Sequence, residues 1–405
     1  MSSRLTVRPA STALMVVMLG FITGIGPLSL DMYLPAFPVI ARDLHVEDAQ
    51  VQLSLTTCLI GLALGQLVCG PLSDRWGRRR PLLAGVAAYA ILSVLCAFAP
   101  NAGLLAAVRL AQGFAGGAGV VVARAIVRDL YSGVAAAKFF SRLSLIFGLA
   151  PIAAPSLGSA VLRVTAWPGI FVTLGGIACL LFVLLVVRMP ETLAPERRSS
   201  GGLADIAGAA RTLFADRVFV GYALAQSFAF AAMFAYLSGS SFVLQEGYGI
   251  SATVFSILFG VNSCALIIAS QTNSPLLDRF TPRAILVVTL AVEAAAGVIV
   301  LISATTGVLA GLLIGMFILV GTIGLMTPNS MALALDLHPE RAGTAAALLG
   351  GIQSVIAAAA APLAGLGEPV KGVPMGLAIA AFATVAVVAV LTLTHPVRPQ
   401  PAGHR

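Results

Sequence analysis

The chain has 405 residues, of which 59% are hydrophobic and 10% charged, and its net charge is +8. A soluble domain carries about 25% charged residues, so a water-soluble core is excluded and the bilayer is the solvent. The basic residues sit in short segments between apolar runs, which points to orientation in a membrane and away from nucleic acid.

A spanning helix needs about twenty apolar residues. Runs of that kind occur at 13–36, 49–71, 80–98, 102–126, 137–161 and 167–188, then at 217–241, 252–273, 283–303, 307–331, 342–366 and 373–394. They predict an all-α membrane protein with 12 transmembrane helices. The long polar stretch from Met189 to Asp216, with Pro190, Pro195, Ser199, Ser200, Gly201 and Gly202, divides it into a six-helix half at 1–188, a linker at 189–216 and a second half at 217–405. With both termini in the cytoplasm, Arg42, Arg163 and Lys371 fall outside and Arg109 falls within a run. Every other lysine and arginine of the 24 then lies on the cytoplasmic face. The first run is too long for a cleaved signal segment.

Among the 16 carboxylates only Asp31 and Glu293 fall inside apolar runs. Ionisable groups at membrane depth are costly and are functional suspects by default. Burial favours the protonated carboxyl and an approaching cation favours the ionised one, so Asp31 suits a proton carrier. The competing reading is an N-cap or a fixed pairing near the outer surface. Pro35, four residues on, predicts a kink or an end of the helix there. After the second run, Gly70-Pro71-Leu72-Ser73-Asp74-Arg75-Trp76-Gly77-Arg78-Arg79-Arg80 reads as a tight cytoplasmic hairpin, with Asp74 capping a helix or pairing with an arginine and Arg78 to Arg80 as anchor.

Arg109, in the fourth run, needs an acceptor: Asp31, backbone carbonyls or water. The fifth run carries Gly148, Pro151, Pro155 and Gly158, residues that allow close helix contact and bend a helix. Glu293, in the ninth, is either a second proton site or a carboxyl kept protonated or bonded to a neighbouring helix. Cys58, Cys69, Cys96, Cys179 and Cys264 read as small buried hydrophobes, and the histidines are too scattered for a metal site. Neither lysine lies in a phosphate-binding loop, so ATP is not expected as an energy source. The halves also repeat. Ser274-Pro275-Leu276-Leu277-Asp278-Arg279 echoes Gly70 to Arg75, Asp336-Leu337 echoes Asp129-Leu130, and Pro362 echoes Pro155. Two related bundles with a site between them are a common transporter plan.

The pattern Gly70, Leu72, Asp74, Arg75, Gly77, Arg78 and Arg79 resembles the signature loop of the major facilitator superfamily. That resemblance implies a conformational latch at Gly70, Asp74, Arg75, Gly77 and Arg78, with a degraded counterpart at Asp278 and Arg279. Arg109 followed by Gln112-Gly113 resembles the helix 4 motif of proton-coupled members, which implies a part in proton transfer. Gly148 to Gly158 resembles the antiporter motif of drug exporters, although Ser159 stands where a second glycine is usual. With Asp31-Met32-Tyr33-Leu34-Pro35, Arg124 to Leu130, Asn329 to Ala334 and Arg341 to Gly350, the chain is similar over nearly its whole length to the Bcr/CflA branch of drug–proton antiporters. Trp167-Pro168 departs from that branch, where Trp-Arg is normal.

The expectation is therefore a monomeric, multi-pass exporter of the bacterial inner membrane, without a cofactor and driven by the proton gradient. Its partners are lipid, protons and a small amphipathic drug. Export of an endogenous metabolite, uptake, or a non-transporting sensor are the alternatives. The antiporter motif argues against uptake, and no nucleophile–base pair at membrane depth suggests an enzyme. An apolar pocket with a few polar handles would draw on Met32, Tyr33, Gln52, Phe147, Gln226, Phe230, Tyr236 and Asn262.

Overall fold

The structure, a computed structural model, describes residues 12–130, 133–194, 211–338, 342–360, 363 and 372–394. Helix α1 spans Thr12–Asp31 and is followed by a 3-10 turn, Leu34–Ala36, and a short α2, Phe37–Asp43. Then come α3 (Asp48–Trp76), α4 (Arg79–Ala97), α5 (Ala102–Leu130), α6 (Gly133–Leu162) and α7 (Pro168–Arg188). The second half holds α8 (Arg217–Phe242, with a π turn at Val243–Gly247), α9 (Ala252–Leu277), α10 (Pro282–Thr306), α11 (Leu309–Asp336), α12 (Ala342–Ala360) and α13 (Val373–Leu393). Among the described residues ten helices are long and apolar enough to cross a membrane, and α6 and α12 contribute the shorter apolar stretches Leu149–Leu162 and Leu348–Ala360. Large apolar side chains such as Ile91, Val183, Ile268 and Val288 stand exposed around the bundle, as a lipid-facing surface requires.

Helix starts follow ordinary capping chemistry. Glu47 and Gln50 form a capping box at α3. Asp216, Ser251 and Thr281 cap α8, α9 and α10 with their side chains. The packing pattern repeats between the halves. Helix α3 lies on α5 and α9 on α11; α4 packs on α5 and α7 as α10 packs on α11 and α13. The ties at the helix ends repeat as well. Arg79 Nε and Nη2 donate to the Met189 and Val186 carbonyls at the end of α7, at 2.7 and 2.8 Å. Arg283 Nη2 donates to the Thr394 carbonyl after α13, at 2.6 Å.

Helices α3 and α5 of the first half approach each other closely at four glycines. A methyl added at Gly61 or Gly65 would strike the Leu110 or Phe114 carbonyl oxygen, and one at Gly113 or Gly117 the Cys58 or Leu62 carbonyl oxygen. Two small-xxx-small patterns thus interlock backbone to backbone. In the second half Ala265 and Ala269 occupy the corresponding faces of α9, and Gly324 of α11 makes the close contact alone.

Several expectations need correction. Helix α3 runs to Trp76, so the stretch from Gly70 is helical and the turn shrinks to Gly77, at φ 89°, and Arg78. The polar residues mark the membrane edge, not the helix end; the Ser73 hydroxyl bonds back to the Gly70 carbonyl at 2.8 Å within the helix. The linker is irregular only in part, since residues 211–215 are helical and 195–210 lie outside the described residues. Cys179 and Cys264 are exposed, whereas Cys58, Cys69 and Cys96 are buried. A thiol is apolar enough to face lipid. The break at Pro35 occurs as expected, with α1 ending at Asp31.

Candidate functional site

The two halves meet along a seam whose hydrogen bonds all lie toward the end of the bundle opposite the N-terminus of α1. Gln52 Nε2 of α3 donates to the Ser238 carbonyl at 3.4 Å, and the Thr56 hydroxyl to the Ala358 carbonyl at 3.1 Å. The Ser241 hydroxyl donates to the Leu34 carbonyl at 2.5 Å, and Gln245 Nε2 to the Pro35 carbonyl at 3.1 Å. Within the first half, Gly158 of α6 rests on the Met32 carbonyl so closely that no side chain fits between them. Toward the other end no hydrogen bond links the halves among the described residues. Among the described residues the hydrogen bonds between the halves thus gather at one end of the seam.

Asp31 sits near that end. Only 6% of it is exposed, and it makes no hydrogen bond or ion pair among the described residues. It lies close enough to Tyr236 of α8 for the two to interact electrostatically. The Tyr236 hydroxyl accepts from Asn262 Nδ2 at 3.0 Å, and its ring stacks on Phe259.

Arg109 is fully buried and does not pair with Asp31. Its Nη1 donates to Gln112 Oε1 at 2.6 Å and its Nη2 to the Ser29 carbonyl at 2.7 Å. The guanidinium carbon stands 4.4 Å from the centre of the Tyr33 ring and 5.6 Å from that of Phe171. Aromatic faces stabilise a desolvated cation. Gln112 passes the chain of bonds to the Ser93 hydroxyl at 2.7 Å, and the Ser29 hydroxyl meets the Tyr89 hydroxyl at 2.6 Å. Of the three acceptors expected for Arg109, the backbone carbonyl is the one found, with Gln112, three residues on, as the second. Gln112, Ser29, Ser93 and Tyr89 were missed as site residues; the spacing from Arg109 to Gln112 puts the two on one helix face and was the available signal.

The remaining candidates are spread out. Met32 and Tyr33 are fully buried, and Gln52 lies in the seam. Gln226 Nε2 bonds Gln353 Oε1 at 2.6 Å within the second half. Phe230 is half-buried against Phe234. The side chain of Phe147 and the surroundings of Gly148 lie outside the described residues; Pro151 and Pro155 are inside α6. Glu293 is fully buried in α10, away from the seam, and neither carboxylate oxygen has a hydrogen-bond partner. Of the alternatives for Glu293, the bond to a neighbouring helix is absent among the described residues.

The latch is an arginine bound on two sides. Arg78 Nη1 bonds Asp74 Oδ1 at 2.6 Å and the Ser73 hydroxyl at 2.7 Å, while Nε bonds Asp129 Oδ2 of α5 at 2.8 Å. Glu191, just past α7, accepts from the Arg78 and Arg79 backbone N–H groups at 2.8 and 3.2 Å and so caps α4. Arg75 is exposed. Asp278 and Arg279 are also exposed and form no ion pair among the described residues. The Asp74 side chain is 48% exposed and that of Asp129 12%. An exposed pair contributes about 0–1 kcal/mol, whereas breaking a buried one costs about 3–5 kcal/mol. Asp129→Asn should therefore lower the unfolding temperature in detergent well beyond Asp74→Asn. Equal destabilisation by the two variants would contradict this division of the latch.

Paired helical bundles whose packing repeats from half to half define a two-bundle membrane protein. The signature of the Major Facilitator Superfamily matches residues 19–362 and 241–404. The chain belongs to that superfamily and is a multi-span membrane transporter, not an enzyme. It is 40% identical over 384 residues to the uncharacterized MFS-type transporter YdgK of Bacillus subtilis (strain 168), covering 93% of this chain and 94% of the relative. It is 32% identical over 385 residues to a bicyclomycin resistance protein homolog of Haemophilus influenzae, covering 95% and 97%. The fold is shared with the xylose transporter XylE from E. coli in a partially occluded inward-open conformation, at TM-score 0.70 and 13% identity over 95% of this chain and 99% of that one.

Proposed function

We propose that the chain exports small amphipathic drugs across the bacterial cytoplasmic membrane in exchange for protons, as a monomer with both termini in the cytoplasm. In this reading the end of the seam that holds the hydrogen bonds is closed and faces out, and the other end faces the cytoplasm. Residues 1–188 and 217–405 are the two moving halves. The observation that carries it is Asp31: a carboxylate nine-tenths buried, without an ion pair, at the closed end of a seam between the halves. The name of the Haemophilus relative supports an antibiotic as cargo.

The chemistry is a proton held at one carboxyl. With the outer side open, Asp31 takes a proton from outside and becomes neutral, which a desolvated site favours. With the inner side open, the drug enters from the cytoplasm or inner leaflet and the carboxyl gives its proton to the cytoplasm. Arg109 holds the same stretch of α1 through the Ser29 carbonyl, two residues before Asp31.

Everted membrane vesicles with an acidified lumen test this directly. Adding drug to the bath should raise lumenal pH, read as recovery of a quenched amine dye. Asp31→Asn should abolish that recovery while the protein remains folded and in the membrane. Persistence of drug-driven proton release in Asp31→Asn would remove Asp31 as the carrier and turn attention to Glu293.

A further inference from the structure

At the outer end of the seam, α6 and α9 run side by side and make the broadest contact between the halves. There the Ser159 hydroxyl lies 2.5 Å from the Ser256 hydroxyl and 2.9 Å from the Ala252 carbonyl. The Ser256 hydroxyl lies 3.0 Å from the Pro155 carbonyl on the facing helix. Both serines are buried, at 5% and 2% exposure. The Ser256 hydroxyl also lies 2.9 Å from the Ala252 carbonyl of its own helix. With Ser159 donating to Ser256 and Ser256 to the Pro155 carbonyl, or Ser256 donating to Ser159 and Ser159 to the Ala252 carbonyl, two hydrogen bonds cross the seam; with Ser159 donating to Ser256 and Ser256 to the Ala252 carbonyl, one does. The other buried seam contacts described above each join one side chain to one backbone carbonyl.

Ser159 is also where this chain departs from the glycine usual in the antiporter motif. A glycine there would supply contact and no bond. Pro155, a residue of that same motif, supplies the carbonyl that receives Ser256. We propose that Ser159 and Ser256 are positioning residues that form a neutral clasp holding the outer side shut, and that its strength sets how often the protein opens outward. This rests on the alternating-access reading above. The clasp contains no charge, so its closing force is independent of the protonation state of Asp31. The proton then acts through the carboxyl alone.

The test measures the outer opening directly. Spin labels on Val164→Cys and Val308→Cys, both exposed near the outer ends of the two halves, report the inter-half distance in a background with the five native cysteines replaced. Ser159→Ala, Ser256→Ala and Ser159→Gly should each raise the ratio of separated to closed molecules by about fivefold, the weight of a typical net hydrogen bond. The double variant Ser159→Ala/Ser256→Ala should exceed either single variant by little, since all break one clasp. Ser159→Thr, which keeps the hydroxyl, should restore the original ratio. In proteoliposomes the alanine variants should raise the apparent KM for drug by a similar factor, as the inward-open fraction falls, without lowering kcat. An unchanged distance distribution in both single variants overturns the clasp, and so does a double variant equal to the sum of two independent effects. If labels show one closed distance in every variant, with and without drug and a pH gradient, the alternating-access reading itself fails, a different result from a clasp that proves inert.

Discussion

Gly113→Leu should prevent the first half from folding. At this position a side chain meets the Cys58 carbonyl oxygen and, close behind it, the Leu62 backbone nitrogen, so nothing flexible can give way. Because Gly61, Gly65, Gly113 and Gly117 interlock, spreading α3 and α5 at one point lifts the other three contacts as well. Helix association in a membrane rests on this kind of close packing, not on hydrophobic expulsion. The expected loss exceeds about 4 kcal/mol, the range of the most disruptive single substitutions. Fluorescence-detected size exclusion of the solubilised protein should show the folded peak lost. Gly24→Leu is the control, because a Cβ there meets nothing within 4 Å. A normal peak for Gly113→Leu would show that the α3–α5 contact is dispensable.

Arg109 should tolerate no replacement, including lysine. Its guanidinium satisfies Gln112 and the Ser29 carbonyl in one plane while its face lies against Tyr33. An ammonium group is a point donor on a flexible stem and cannot hold two acceptors and a ring in that arrangement. Arg109→Lys should keep the protein folded and lower drug-driven proton flux by more than about tenfold, the effect of roughly 1.4 kcal/mol in the rate-limiting step. Arg109→Gln removes the charge and leaves the Ser29 carbonyl buried without its partner, for which about 1–3 kcal/mol of stability is expected to go. Flux in vesicles and thermal unfolding in detergent measure the two effects separately. Full activity of Arg109→Lys would mean that charge alone matters and the cage geometry does not.

Much of this molecule is written in its hydropathy. The twelve expected runs and the long helices agree to within a few residues at most ends, because a helix that crosses a bilayer has to be apolar for its whole buried length. Where the expectation slipped, hydropathy reported a different quantity. At Gly70 to Trp76 it reported the edge of the membrane while α3 continued beyond it. Asp31 and Arg109 were legible as ionisable residues in apolar runs, but what they touch was not. The acceptor for Arg109 is a main-chain carbonyl, and main-chain atoms carry no letter in a sequence. The spacings Gly61-x-x-x-Gly65 and Gly113-x-x-x-Gly117 do spell out a helix contact. Of the seam serines, Ser159 stood out only as a departure from a motif glycine, and Ser256 looks like any polar residue in a membrane helix until both halves are in place.

The arginine ties at Arg79 and Arg283 bear on how the machine holds together. Each fastens the start of one helix to the tail of the last helix in its own half, so each bundle is looped shut on itself. A swinging part that carries its own fastener needs no hinge of fixed shape to keep it whole. In the exchange proposed above, each half would then move as a bundle fastened by its own helices, with Arg79 and Arg283 as the fasteners.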